Sequence, residues 1–168
     1  MSLEYSIRKH EGAIYGSAYT AAALGVPGAF TPGLDTLGVA GTWATMMCII
    51  ASNANRQLDR PTALKLMSAI LSAAAGYLGG SKVFTFALNL IPGLGQLGAI
   101  GINSFLNFIY TIRLGKFIAI QMEKNDFDID DWSNLVPEII ATVFALPSVI
   151  EMREAVSDWR THQQYRQS

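Results

Sequence analysis

The sequence contains the segment Pro32-Gly-Leu-Asp-Thr-Leu-Gly-Val-Ala-Gly41, and sixty residues later it contains Pro92-Gly-Leu-Gly-Gln-Leu-Gly-Ala-Ile-Gly101. Six of the ten positions are identical, and Gly16 lies opposite Gly76 at the same offset. A Pro-Gly pair ends one helix and lets another begin. The repeat therefore predicts two apolar helical hairpins related by internal duplication, over residues 12–55 and 72–124.

Each copy has a helix that leads into the Pro-Gly pair and a second helix that follows it. In the first copy the pattern predicts helices over about residues 12–25 and 34–55. In the second copy it predicts them over about residues 82–91 and 94–124. Asp35 falls in the first turn of an outgoing helix, where the helix dipole favours an anion.

The rest of the chain is also helical in pattern. Pro61 marks a helix start that continues to about residue 77, and two C-terminal helices follow within residues 132–168, separated before Pro147. Runs that alternate between apolar and polar residues, as strands require, are absent. The sequence predicts an all-α bundle of six or seven helices, forming a single domain over residues 1–168.

Glycines recur at spacing i, i+3 in both outgoing helices. A glycine inside a helix costs nearly 1 kcal/mol relative to alanine, and close approach of a neighbouring helix commonly offsets that cost. We therefore predict membrane or helix-packing roles for the residues of the two Pro-Gly elbows and their glycine stripes: Pro32, Gly33, Asp35, Gly38, Gly41, Pro92, Gly93, Gly95, Gly98 and Gly101.

Charge is scarce and unevenly distributed. Charged residues make up 15% of the chain and the net charge is −1, which excludes the basic surface that nucleic-acid binding requires. Asp35 is the one charge between Glu11 and Arg56, and none lies between Lys82 and Arg113. A soluble helix normally carries a polar stripe, so these stretches are expected to face protein, lipid or both.

The same stretches make poor single-pass membrane helices. A crossing needs about 20 mostly apolar residues, whereas residues 36–55 contain several polar side chains and Pro92 interrupts residues 83–112. Hairpins with neutral tips and basic bases fit better; the bases are Arg56, Arg60 and Lys65, and Arg113, Lys116 and Lys124. Because residues 1–11 lack the apolar core of a signal peptide, we expect the cytoplasmic face of the cytoplasmic membrane, or alternatively the cytoplasm.

No arrangement of reactive side chains predicts catalysis. Cys48 is the single cysteine, and His10 and His162 lie at opposite ends of the chain. The acidic segment 124–131 lacks the central glycine and the final glutamate of a calcium loop. We therefore predict no catalytic, cofactor-binding or metal site, and no enzyme.

The stretch from residue 34 to residue 117 resembles the YcjF-like hydrophobic domain, a family found beside small GTPase-type domains. The matching elements are Asp35, Met46-Met-Cys-Ile-Ile-Ala51, Leu90-Ile-Pro-Gly-Leu-Gly95, Gly98, Asn103, Thr111 and Leu114-Gly115. The resemblance implies a bacterial membrane-associated helical module with a separate GTPase-type partner, and it supplies no catalytic residues. The chain departs from the family at Asn53-Ala-Asn55, where a Tyr-Gly pair is expected, and it lacks a phosphate-binding loop.

Three functions are compatible with these patterns. The first is a noncatalytic scaffold or anchor that inserts or packs neutral hairpins at a lipid bilayer. The second is a soluble module that assembles into a homo-oligomer and buries its hairpins at subunit contacts. The third is a pore-forming effector that releases the hairpins into a target membrane.

Overall fold

The computed structural model describes residues 3–28, 34–78, 98–124, 132–145 and 147–165. These ranges contain seven α-helices and no strand, which confirms the all-α prediction. The helices are α1 (Leu3–Lys9), α2 (Glu11–Gly28), α3 (Leu34–Asn53), α4 (Arg60–Leu78), α5 (Gly98–Met122), α6 (Trp132–Val143) and α7 (Val149–Tyr165).

The helix boundaries differ from the predicted ones in a few places. Helix α2 continues through Pro27 to Gly28, and α1 was not predicted at all. The predicted start of α5 at residue 94 lies outside the described residues. The predicted lead-in helix over residues 82–91 lies outside the described residues. So do the two Pro-Gly elbows, so the proposed duplication stays a prediction.

The end of α3 is fixed by a Schellman motif. Asn55 has a φ of 58°, the left-handed conformation that an asparagine side chain tolerates better than most. The Arg56 amide donates to the Ala51 carbonyl at 2.8 Å and the Asn55 amide donates to Ser52 at 3.0 Å. Helix α4 then begins four residues later, because the Asp59 carboxylate accepts from the Thr62 amide at 3.0 Å and caps the first turn.

Four long helices form the centre of the fold. Helix α2 packs most extensively on α5 and α3, and α3 packs on α4 and α5. A Cβ added at Gly38 would lie against Leu24, and one at Gly115 would lie against Ile14 and Met46. Early residues of α2 therefore lie beside late residues of α3 and α5, so α2 runs antiparallel to both. Helices α3 and α5, the outgoing helices of the two predicted hairpins, consequently run parallel to each other.

The core lies between these four helices and is closed by α6. The largest fully buried side chains are Trp43, Phe108, Ile14, Met46, Met47, Ile50, Met67, Ile70, Leu114, Ile118, Met122 and Ile139. Phe144, just after α6, packs its ring 6.0 Å from that of Trp43 and 5.1 Å from that of Tyr110. Helix α6 therefore ends near the middle of α3 and α5.

Candidate functional site: two unlike ends of the bundle

Because of the directions of the four central helices, most of their charged residues lie at one end of the bundle. At this charged end α2 and α4 begin and α3 and α5 end, which places residues 4–11, 56–65 and 122–124 together. The opposite part, which we call the neutral half, comprises residues 17–28, 34–45, 66–78 and 98–112. Asp35 is the only charged residue in those four ranges.

The charged end is held by a cluster of three residues from α1 and the end of α5. The Lys9 ammonium donates to Oε1 of Glu123 at 2.8 Å, and Nε2 of His10 lies 2.9 Å from the same oxygen. The His10 side chain is fully buried and that of Glu123 is nearly so. Because a carboxylate only accepts hydrogen bonds, Nε2 carries the proton, and the buried Nδ1 has no hydrogen-bond partner.

The electrostatics of Glu123 follow from this arrangement. Burial acts to raise the pKa of the carboxyl, but the hydrogen bonds from Lys9 and His10 outweigh it, so the pKa lies below its ordinary value. Glu123 is therefore an ionised group that binds the N-terminal helix to the far end of the chain. The sequence pattern gives no signal for this cluster, since the partners are more than a hundred positions apart.

Arg56 closes the other side of the charged end. Its Nε donates to the Met122 carbonyl at 2.7 Å, and its guanidinium also donates to the Lys124 carbonyl. These carbonyls belong to the last turn of α5 and to the residues after it, which lack partners within the helix. A residue predicted as a basic hairpin base thus caps a neighbouring helix.

Arg113 anchors the C-terminal helices to the middle of α5. Its guanidinium makes a bidentate pair with Glu151, with both N–O distances at 2.6 Å. It also donates to the carbonyls of Val143 and Ala145, just before α7. The hydrogen bonds from Arg113 are the main reason that the pKa of Glu151 lies below its ordinary value.

Asp158 ties the other part of α7 to α2. The Tyr15 hydroxyl lies 3.4 Å from its carboxylate, and the Tyr19 hydroxyl donates to its backbone carbonyl at 3.2 Å. Burial, followed by the charge of Asp158, raises the pKa of Tyr15 to about 12, and the same two causes raise that of Tyr19. Helix α7 therefore reaches from Arg113 on α5 to the tyrosines of α2.

The described side chains exposed in the neutral half carry no charge. They are Thr20, Ala23, Leu37, Thr45, Ala69, Ser72 and Ala73. Leu37 is 69% exposed, which is unusual for a large apolar side chain. The hydroxyls of Thr20, Thr42 and Thr45 each donate to the carbonyl four residues earlier in their own helix at 2.9–3.0 Å.

Polar groups between the helices of the neutral half are largely satisfied within the chain. The Trp43 indole donates to the Thr111 hydroxyl at 2.8 Å, and that hydroxyl donates to the Asn107 carbonyl. The Asn107 amide in turn donates to the Ala21 carbonyl at 3.2 Å. Buried Ser104 is an exception, since its hydroxyl has no partner. Few exposed amide side chains among the described residues of the neutral half would require hydrogen bonds from water.

The predicted packing glycines differ from one another in the structure. A Cβ at Gly38 would lie 3.1 Å from the Leu24 side chain, whereas one at Gly41 would meet no described atom within 4 Å. Close approach therefore explains Gly38 and does not explain Gly41. Asp35 is the second residue of α3, and Gly98 and Gly101 lie within α5. Pro32, Gly33, Pro92, Gly93 and Gly95 lie outside the described residues.

The tightest glycine is one that the predicted stripes did not include. A Cβ at Gly115 would lie 2.9 Å from Ile14 and 3.0 Å from Met46, so α2, α3 and α5 meet at this position. The available signal was an isolated glycine inside a long helical pattern. Cys48 is half-buried, and burial raises the pKa of its thiol.

Neither a metal site nor a membrane span is found within the described part of the chain. Its His, Cys, Asp and Glu residues form no group of three or more that could hold an ion. None of its helices is both long and apolar enough to cross a bilayer. Family models, curated proteins and solved structures were compared with the chain, and none of them matches it.

Proposed function

We propose that this protein is a noncatalytic helical anchoring module that binds the cytoplasmic face of the cytoplasmic membrane through its neutral half. The observation that carries the proposal is the segregation of charge along the bundle. All four central helices direct their charge-poor ends the same way, although they alternate in direction along the sequence, and Asp35 of α3 is the one charge among the described residues of those ends. A bundle surrounded by water on every side does not require this polarity.

Leu37 is the strongest single support for contact with lipid. Burying a leucine that is otherwise exposed is worth about 1.5–3 kcal/mol, and Leu37 is 69% exposed. The threonines add no exposed donor, because their hydroxyls already bond within their own helices. Asp35 opposes insertion, but it stands at a helix start, where the dipole stabilises a carboxylate.

The charged end is suited to the aqueous side. Its exposed basic residues include Arg60, Lys65 and Lys124, which would remain in water or among headgroups. In this arrangement the charged end is the surface available to a protein partner, either a second copy of the chain or a separate GTPase-type protein. The molecule would then serve as a scaffold that holds its partner at the membrane.

Flotation on vesicles tests the proposal. Purified protein is mixed with phosphatidylcholine vesicles containing a minor share of phosphatidylglycerol and centrifuged in a density gradient. We expect the wild-type chain to float. Leu37→Lys should reduce the bound fraction at least tenfold, because a lysine within hydrocarbon costs about 2.5–3.5 kcal/mol.

Leu64→Lys provides the matched control. Leu64 is also a large exposed apolar residue, 41% exposed, but it lies in the second turn of α4 at the charged end. This variant should float as the wild type does, with an unchanged circular dichroism spectrum. A protein that never floats and elutes as an oligomer would overturn the proposal in favour of the soluble self-assembling module. Release of an encapsulated dye would favour the pore-forming effector.

A further inference from the structure

We infer that the surface on which α7 lies also binds α7 of a second copy, so that two chains associate by exchanging this helix. That surface is formed by α2 and α5. The inference stands apart from the proposed membrane binding and is tested without lipid. It rests on the way in which the described residues of α7 are attached to the bundle.

Two acidic residues of α7 attach it to two different helices. Glu151 lies in the first turn of α7 and pairs through both oxygens with Arg113 of α5. Asp158 follows seven residues later, so it lies on the same side of α7, about 10 Å further along the helix. Its carboxylate receives the Tyr15 hydroxyl at 3.4 Å, and its backbone carbonyl receives the Tyr19 hydroxyl at 3.2 Å. Helix α7 therefore lies across both α5 and α2.

The surface on α5 is complementary to an acidic helix. Arg113 presents a planar guanidinium, which matches a carboxylate in bidentate geometry. Its hydrogen bonds lower the pKa of Glu151 most, and the charge of Lys116, on the next turn of α5, lowers that pKa further. A helix with a carboxylate at the position of Glu151 is therefore favoured here by charge, and α7 is the sequence that the structure shows to fit.

The described part of α7 is attached by contacts that can break while the bundle stays folded. Glu151 is 37% exposed and Asp158 is also exposed, so water reaches both acidic residues. Met152 and Ala155 are the buried apolar side chains among residues 150–158. Within the described residues, α7 packs along no other helix as extensively as α6 packs along α4 and α5. Segments held in this way open locally at a lower free energy than that of global unfolding.

Helix α7 carries its own helix start and is joined to α6 by a short connection. The Glu151 amide donates to the Ser148 hydroxyl at 3.2 Å, so the capping residue belongs to the same segment as the helix. Because only residues 144–148 separate the two helices, a released α7 stays near its own surface at an effective concentration on the order of 1 mM. A second copy therefore competes by reciprocal exchange, in which each α7 fills the surface of the other chain and the same attachments form again.

The first test measures whether the surface binds α7 from outside the chain. A fluorescently labelled peptide of residues 147–165 is added to the full chain, and binding is followed by fluorescence anisotropy. In a chain with Glu151→Gln and Asp158→Asn, the chain's own α7 competes less, because hydrogen bonds to charged groups are lost. We expect the peptide to bind this variant about tenfold more tightly than the wild type.

A chain with Glu154→Gln is the matched control. Glu154 is exposed on α7, and its substitution also removes one negative charge from that helix. Both variant chains should have the circular dichroism spectrum of the wild type, and the control should bind the peptide as the wild type does. Equal binding to all three chains, or binding to none of them, would overturn the inference.

The second test uses the wild-type chain and does not depend on the folding of a variant. Sedimentation velocity at rising protein concentration should show a growing dimer fraction. An excess of the unlabelled peptide should return the dimer to monomer, and the peptide with Glu151→Gln should require about tenfold more. A dimer that the wild-type peptide leaves intact, or a chain that stays monomeric up to concentrations of about 1 mM, would overturn the exchange of α7. Neither result would bear on flotation with vesicles, so the two proposals fail separately.

Discussion

The charged end and the neutral half of this bundle are stabilised by different means. At the charged end, Lys9, Arg56 and Glu123 bind atoms that are distant in sequence, so the charges join segments of the chain. In the neutral half, apolar packing dominates, and Thr20, Thr42 and Thr45 donate to carbonyls of their own helices. Charge in this protein is therefore used first for internal attachment, and its absence marks the surface proposed to meet lipid.

Among the charged side chains that join distant segments of the chain, Arg113 is expected to contribute most to stability. Arg113→Ala should therefore lower the free energy of unfolding more than any other change considered below. Arg113 is only 17% exposed and joins Glu151 to two backbone carbonyls. Its removal leaves these acceptors without a donor, so we expect the free energy of unfolding to fall by about 3 kcal/mol. Urea denaturation followed by circular dichroism measures this change.

Arg8→Ala is the control for Arg113→Ala. Arg8 also pairs with a glutamate, Glu4, at 2.6 Å, but both side chains are highly exposed. Pairs of this kind contribute about 0.3–0.5 kcal/mol. If the two variants lost equal stability, the part-buried pair of Arg113 would contribute no more than an exposed pair within one helix, and the prediction would be wrong.

A second prediction concerns the junction of α2, α3 and α5. Gly115→Ala should lower the free energy of unfolding by about 1–2 kcal/mol, because the new methyl group would overlap Ile14 and Met46. Gly16→Ala should instead raise it by up to about 1 kcal/mol, since a Cβ there meets nothing within 4 Å. Thermal unfolding of the two variants compares them directly, and changes of the same sign would contradict the packing described.

The contrast between these glycines shows how far the sequence could predict the structure. Helical periodicity, the Pro-Gly pairs, Pro61 near a helix start and the absence of alternating runs predicted the all-α class and most of the described boundaries. The same patterns could not separate Gly38, which Leu24 approaches, from Gly41, which has open space. Which glycine is approached depends on the level at which two helices cross, and the sequence pattern of one helix does not contain that level.

The charged end illustrates the same limit for the candidate site. The sequence identified Arg56 and Arg113 as basic positions at hairpin bases. It did not predict that Arg56 caps α5 or that His10 lies against Glu123, because each pair joins residues separated by 66 or 113 positions. The positions of the charged residues in the sequence located the polar region. Only the fold showed which of these side chains form hydrogen bonds or ion pairs within the protein.

A third prediction uses the acid sensitivity of the charged end. The pKa of Glu123 is lowered in the folded state, so its carboxylate stabilises the protein above the ordinary pKa of 4.5 and loses this contribution as the pH falls through the lowered value. Glu123→Gln should lower the free energy of unfolding by about 1 kcal/mol at neutral pH. The difference from wild type should shrink as both are titrated into acid. A difference that stays constant down to the acid limit would show that Lys9 and His10 do not act through the carboxylate charge.

The smallest effect is expected where α7 meets α2. The Tyr15 phenol has a pKa of about 12 in the folded state against 10.0 when unperturbed, so the protein should lose stability as the pH rises from 10 towards 12. Absorbance titration should show a late-ionising phenol that Tyr15→Phe removes. Asp158→Asn should lower the pKa of Tyr15 only in part, because burial is the first cause of the shift and the charge of Asp158 the second. A complete return to 10.0 in that variant would mean that the carboxylate, and not burial, keeps this tyrosine protonated.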